Sequence, residues 1–199
     1  QGFARSYPDR IRQLAAFRYA PDAEMRTGTC FITRGTAHVG ALADGCLALA
    51  PARPNILIVG DSHAAHLWSG LAATFPDANF LQATASGCKP LTKPGGAPRC
   101  RRVMDFVFAE FLPRHRLDAI IVSADWRGVS PADMRATAQA LQAFARTVYV
   151  FGPIVEYDDI LPRLLLRSAW RAEPAMIKAA LRPDVQATDA AFAAALAGT

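Results

Sequence analysis

Apolar runs and amphipathic stretches alternate along the chain from residue 55 onward, and that alternation predicts the architecture. Asn55-Ile56-Leu57-Ile58-Val59-Gly60 is a continuous, β-branched apolar run, as expected of a strand buried on both faces. Ala64 to Phe75 follows as a helix that buries Leu67, Leu71 and Phe75. Ala78 to Thr84 predicts a second strand, and Ala85 to Pro98 a loop rich in Gly and Pro. Val103 to Leu112 predicts a helix with Met104, Phe108 and Phe111 on one side. Asp118 to Ser123 predicts the next strand, centred on Ile120, Ile121 and Val122. Ser130-Pro131-Ala132-Asp133 is a helix start: Ser130 can cap, Pro131 suits the first turn, and Asp133 favours the positive end. That helix turns Met134, Ala138, Leu141 and Ala145 inward, and Thr147 to Phe151 reads as a further strand. Strands alternating with helices imply right-handed crossovers and a parallel sheet covered on both faces, an α/β fold. Active groups in such sheets gather beyond the carboxyl ends of the strands. Here those are the loops at 60–63, 85–90, 123–128 and 151–157.

The first 50 residues read differently. A short amphipathic helix is predicted from Pro8 through Tyr19, with Ile11, Leu14, Ala15 and the stem of Arg18 at helical spacing. Gly28, Gly35, Gly40 and Gly45 then favour loops and turns. Residues 1–50 are therefore expected to be a linker or extension packed on a main domain spanning 51–199. At the other end, Asp184 to Leu196 predicts an alanine-rich helix with no strand after it. The expectation is a sheet of about four strands, truncated at the C-terminus. A chain that opens on Gln1-Gly2-Phe3 without Met also suggests an excised fragment.

Composition narrows the class. Hydrophobic residues are 52% and charged residues 20%, which suits a compact core rather than disorder. No apolar run approaches the roughly 20 residues needed to span a bilayer, and no basic-then-apolar leader is visible. The net charge is +5, but only Arg99, Arg101 and Arg102 cluster. Without a basic stripe interleaved with aromatics, nucleic acid is not the expected partner. An anionic polysaccharide or membrane surface fits a mild positive balance. The cysteines, Cys30, Cys46, Cys88 and Cys100, allow three pairings, and their spacing is not that of a zinc site. They read either as buried thiols or as two short-range disulfides, the second placing the domain in an oxidising compartment.

The candidate chemistry lies at Gly60-Asp61-Ser62-His63. A serine on a tight strand-to-helix turn has its hydroxyl lifted clear of the sheet, beside helix amides that can donate to an oxyanion. The plainer reading is that Asp61 or Ser62 simply caps the helix that follows. A metal site at Asp61, His63 and His66 lacks a full ligand set, so no metal is expected. Glu156, Asp158 and Asp159 read as a solvated acidic loop rather than an acid/base group. Trp68 and Trp170 read as packing residues, whereas Trp126 at a strand's carboxyl end is the candidate for substrate contact.

The stretch Ile56 to Leu67, with Gly60-Asp61-Ser62-His63-Ala64 at its heart, resembles the first block of SGNH (GDSL-like) domains fused to membrane acyltransferases of the acyltransferase-3 type. Ala85-Ser86-Gly87-Cys88-Lys89-Pro90 resembles the second block, Ile121 to Trp126 the third, and Val150 to Glu156 the strand and loop after it. Leu161 to Leu165 also has the family's look, and the cysteine positions are similar. The resemblance spans roughly residues 28 to 170. It implies a three-layer α/β/α SGNH-hydrolase-like fold on the periplasmic side of an inner-membrane protein. It also implies an O-acyltransferase acting on bacterial surface polysaccharide such as lipopolysaccharide O-antigen. Acetyl groups would come from the fused membrane domain, with no metal or organic cofactor.

The same resemblance implies roles for individual residues. Ser62 is the expected nucleophile and Gly87 an oxyanion-hole donor. Asp125 or Trp126 stands where the broader SGNH group has an oxyanion-binding asparagine, although an ionised Asp would repel an oxyanion. The cysteines are expected as disulfides. The closing Asp-x-x-His block that supplies the base is absent. Among the histidines, His38, His63, His66 and His115, His63 is expected to point elsewhere, His66 lies about one helical turn past Ser62, and His115 precedes a strand at the wrong end of the sheet. The base is therefore expected outside this chain, leaving Ser62 poorly activated in it. Two rivals remain at this stage: an esterase using the same serine, and a non-catalytic carbohydrate-binding or docking module.

Overall fold

A computed structural model of the protein describes residues 7–16, 18, 20–34 and 40–198. In chain order the elements are α1 (Asp9–Ala16), α2 (Pro21–Met25), β1 (Phe31–Ile32), α3 (Gly40–Gly45), β2 (Asn55–Gly60), α4 (Ser62–Ala65) and α5 (Leu67–Thr74). Then come β3 (Asn79–Ala85), α6 (Pro98–Asp105), a π-helical segment (Phe106–Phe111), a 3₁₀ turn (Leu112–Arg114) and β4 (Leu117–Ser123). The chain continues through α7 (Pro131–Leu141), β5 (Ala145–Val150), α8 (Leu161–Arg171), α9 (Ala175–Ala179) and α10 (Pro183–Leu196). The predicted first helix is observed as Asp9–Ala16, and Phe17, Tyr19 and His38 lie outside the described residues.

The chain divides into two compact units. The larger, Pro21–Ile154 with Thr188–Thr199, holds the sheet. Its five strands run parallel in the order β1-β3-β2-β4-β5. Strand side chains alternate between faces, and this periodicity sorts the core. Leu57, Val59, Leu81, Ala83, Ile120 and Val122 face one cluster, together with Met104, Val107, Met134, Leu141 and Phe192. Ile58, Phe80 and Ile121 face the other, under Ala64, Leu67, Trp68 and Leu71. The fold is thus a parallel sheet with helices on both faces, as the strand–helix alternation implies.

The strand at residues 31–32 departs from the expected irregular leader. Two residues are too few to show a period, and tertiary bonds hold them. Phe31 and Ile32 pair with Thr84 and Ala85, Thr84 Oγ1 donates to the Cys30 carbonyl, and Ser86 N donates to Ile32 O. Residues 21–34 and 40–50 accordingly fall in the same unit as the sheet. The helix expected over 103–112 begins earlier, at Pro98, and widens into the π-helical segment. Val103, Val107 and Phe111, at i, i+4 and i+8, are buried there, whereas Phe108 is only half-buried. The helix expected from Ala64 is split into α4 and α5 at His66.

The smaller unit is Gln1–Ala20 with Val155–Ala187. Within it, Tyr157 bridges Leu181, Arg182 pairs with Glu156 at 3.2 Å, and Tyr7 packs on Trp170 with centroids 5.0 Å apart. Asp159 takes Arg163 and Arg167 at the start of α8. The carboxylates of Glu156 and Asp159 are therefore ion-paired, unlike the free solvated charges expected.

Candidate active site

The register of the central strands brings the predicted loops together. Gly60 is level with Thr84 on one side and with Ser123 on the other. The chain leaving β2 therefore emerges between the loops that follow β3 and β4. Ser62, Gly87 and Asp125 all lie two or three residues past that line, at the carboxyl rim of three adjacent strands.

Gly60 makes the turn possible. Its φ is +149°, and a Cβ there would stand 1.8 Å from the Ser123 carbonyl oxygen. No side chain fits, so the Gly60–His63 turn packs directly on the β4 backbone. Asp61 is 1% exposed and caps α4. Its Oδ1 accepts from His63 N at 2.8 Å, and its Oδ2 accepts from Asp125 N at 2.9 Å. The capping reading of this aspartate is thus correct, and it coexists with a link to the β4 loop.

Ser62 is half-buried at the first position of α4. Neither its backbone N–H nor that of Gly87 donates to any group among the described residues. Gly87 is exposed, with φ +67°, on the turn Ala85–Cys88 that the Cys88 N to Ala85 O bond closes. Two unpaired donors at one rim are what an oxyanion needs. Among the described residues no side chain hydrogen-bonds to the Ser62 hydroxyl. His66 opens α5 without a side-chain cap, and burial lowers its pKa below the ordinary imidazole value. The Nδ1 of His63 is buried without a partner. His115 sits before β4, at the amino end of the sheet, with Nδ1 2.8 Å from Phe111 O.

Two expected roles are corrected by this geometry. Asp125 cannot donate to an oxyanion, because Asp61 takes its amide and its carboxylate is anionic. Arg127 grips that carboxylate through Nε at 2.9 and 3.0 Å and Nη2 at 2.6 Å, while Lys89 Nζ lies 3.8 Å away. The hydrogen bonds from Arg127 hold the Asp125 pKa down to about 2. Trp126 is not a stacking surface for substrate: it is 1% exposed, gives its indole N–H to Phe151 O at 2.7 Å, and packs edge-on against Phe192. Lys89 and Arg127 are neighbours of the site that sequence reasoning missed. Lys89 and Asp125 are far apart in sequence, and no local pattern pairs them.

Both short-range disulfides are present, Cys30–Cys46 and Cys88–Cys100. Among the described residues no group of three or more His, Cys, Asp or Glu is placed to hold a metal ion, and no helix is long and apolar enough to cross a membrane.

The family described as "SGNH domain (fused to AT3 domains)" matches residues 29–198. The chain belongs to this family. The SGNH domain is also similar to a solved structure, the periplasmic domain of a lipopolysaccharide acetyltransferase from Salmonella ser. Paratyphi A. The two share 18% identity and a TM-score of 0.70, covering 97% of this chain and 77% of that one. At that identity the likeness bears on the fold. Curated proteins yield no match to this SGNH domain. The family match starts at residue 29, so it takes in Cys30 and β1.

Proposed function

We propose that this SGNH domain is the periplasmic part of an inner-membrane O-acetyltransferase that modifies cell-surface polysaccharide. The observation that carries this reading is the pair of unengaged N–H donors, Ser62 and Gly87, at the carboxyl rim of the sheet. Family membership and the lipopolysaccharide acetyltransferase fold support it.

The Ser62 hydroxyl attacks the carbonyl carbon of an acetyl donor. The C–O bond to Ser62 forms, the donor's leaving group departs with the serine proton, and an acetyl-serine ester results. A sugar hydroxyl then attacks that ester, takes the acetyl group and returns the proton to Ser62. In both steps the negative charge on the carbonyl oxygen develops toward the two amides. A fused membrane acyltransferase domain delivers the acetyl group across the bilayer. This chain by itself acylates slowly, because no base engages the Ser62 hydroxyl among its described residues.

Ser62→Ala in the full-length protein tests the reading. Polysaccharide acetylation, read by mass spectrometry of the purified glycan, is expected to fall at least about a thousandfold, as losing a covalent nucleophile does. Unchanged acetylation would remove Ser62 from the mechanism.

A further inference from the structure

The loops after β3 and β4 lie on opposite sides of β2 and touch through Lys89 and Asp125, 3.8 Å apart. Adjacent strands are about 4.8 Å apart, so this contact bridges roughly 10 Å across the end of the nucleophile strand. We infer that the Lys89–Asp125 pair is a strap over the nucleophile turn that positions the Gly87 amide opposite Ser62. This rests on the serine mechanism proposed above and adds two positioning residues to it.

Lys89 is two residues from Gly87 and next to Cys88, so whatever fixes Lys89 limits where the Gly87 N–H can point. On one flank the loop is fixed covalently, through Cys88–Cys100, and by Arg99 Nη2 donating to Ser86 O. On the other flank the contact is ionic, through Lys89. Asp125 is a firm anchor for it. Its amide is bonded to the buried Asp61 carboxylate, whose other oxygen holds His63 N beside Ser62. Arg127 fixes the orientation of the Asp125 carboxylate from the same loop. A chain of contacts therefore runs Gly87 loop, Lys89, Asp125, Asp61, Ser62 turn, and joins the acceptor of charge to the nucleophile.

The side chains of Lys89 and Asp125 are each 26% exposed, and ion pairs near the surface contribute only about 0–1 kcal/mol to stability. The strap thus matters for geometry rather than folding. A displacement of about 1 Å at a reacting centre can cost about a hundredfold in rate.

The test uses purified full-length protein and a chromogenic acetyl ester, with Ser62→Ala as the reference. Turnover that persists in Ser62→Ala would overturn the serine mechanism itself. With Ser62 dependence established, Lys89→Met and Asp125→Asn should each lower kcat about tenfold, with KM changed less than about twofold. Lys89→Arg and Asp125→Glu should recover most of the loss. The Lys89→Met/Asp125→Asn double variant should be no slower than the worse single one, because both cut the same contact. Thermal midpoints should stay within about 2 °C of the parent, as for a surface pair. Wild-type kcat in either single variant, or losses that multiply to about a hundredfold in the double, would overturn the strap.

Discussion

Gly60 carries the most constrained backbone position near Ser62. Its positive φ and the Ser123 carbonyl 1.8 Å from any added Cβ act together, so relaxing one does not relieve the other. Gly60→Ala should therefore cost about 3 kcal/mol or more, measured by urea denaturation, since backbone cannot move aside as a flexible side chain would. Gly87, which also has positive φ, has open space around its Cβ position, so alanine there meets only the backbone strain. Asp61 shows how a buried carboxylate is made tolerable. Two backbone amides donate to it, one from α4 beside Ser62 and one from the loop after β4.

Among the elements, β1 depends most on its surroundings. It is two residues long, and its neighbour Cys30 is tied to Cys46 across 16 residues of chain. Closing a loop of that length stabilises a fold by about 3 kcal/mol. The Cys30→Ser/Cys46→Ser variant should lose about that much and expose the Phe31–Ile32 amides to rapid hydrogen exchange. Retained protection at those two amides would show that strand pairing alone suffices. The π-helical segment works by packing instead. Its Val107 and Phe111 are buried in line with Val103 of α6, at the four-residue spacing that keeps one helical face turned to the core.

Taken across the molecule, the pH response follows from groups that the fold shifts. Burial lowers the His66 pKa, so the unfolded chain takes up a proton first as pH falls below about 6.5. Stability attributable to His66 is therefore full at pH 7 and above, and declines below 6.5 toward the folded value. His66 is only half-buried, so solvent screening keeps the effect small. Thermal midpoints measured from pH 5 to 8 should rise with pH in the parent and rise less in His66→Gln. An identical slope in the variant would assign the dependence elsewhere. Asp125 behaves oppositely in origin: held near 2, it loses its contribution only between 3.8 and that value. The Asp125 carboxylate is thus anionic throughout the neutral range.

Local pattern carried much of this protein. The apolar run Ile56–Val59, the Gly60-Asp61-Ser62-His63 turn and the Ser130 cap are each written in consecutive residues, where strand burial, backbone freedom and capping act. The parallel α/β sheet and the position of Ser62 follow from them. Long-range contacts placed the rest. The short strand at Phe31 exists because β3 and a disulfide hold it, and Trp126 is core because its indole N–H reaches the Phe151 carbonyl and Phe192 packs against its ring. Asp125 turned from donor to anchor because Asp61, Lys89 and Arg127 converge on it. No periodicity encodes a contact between residues that meet only when three strands end at the same level.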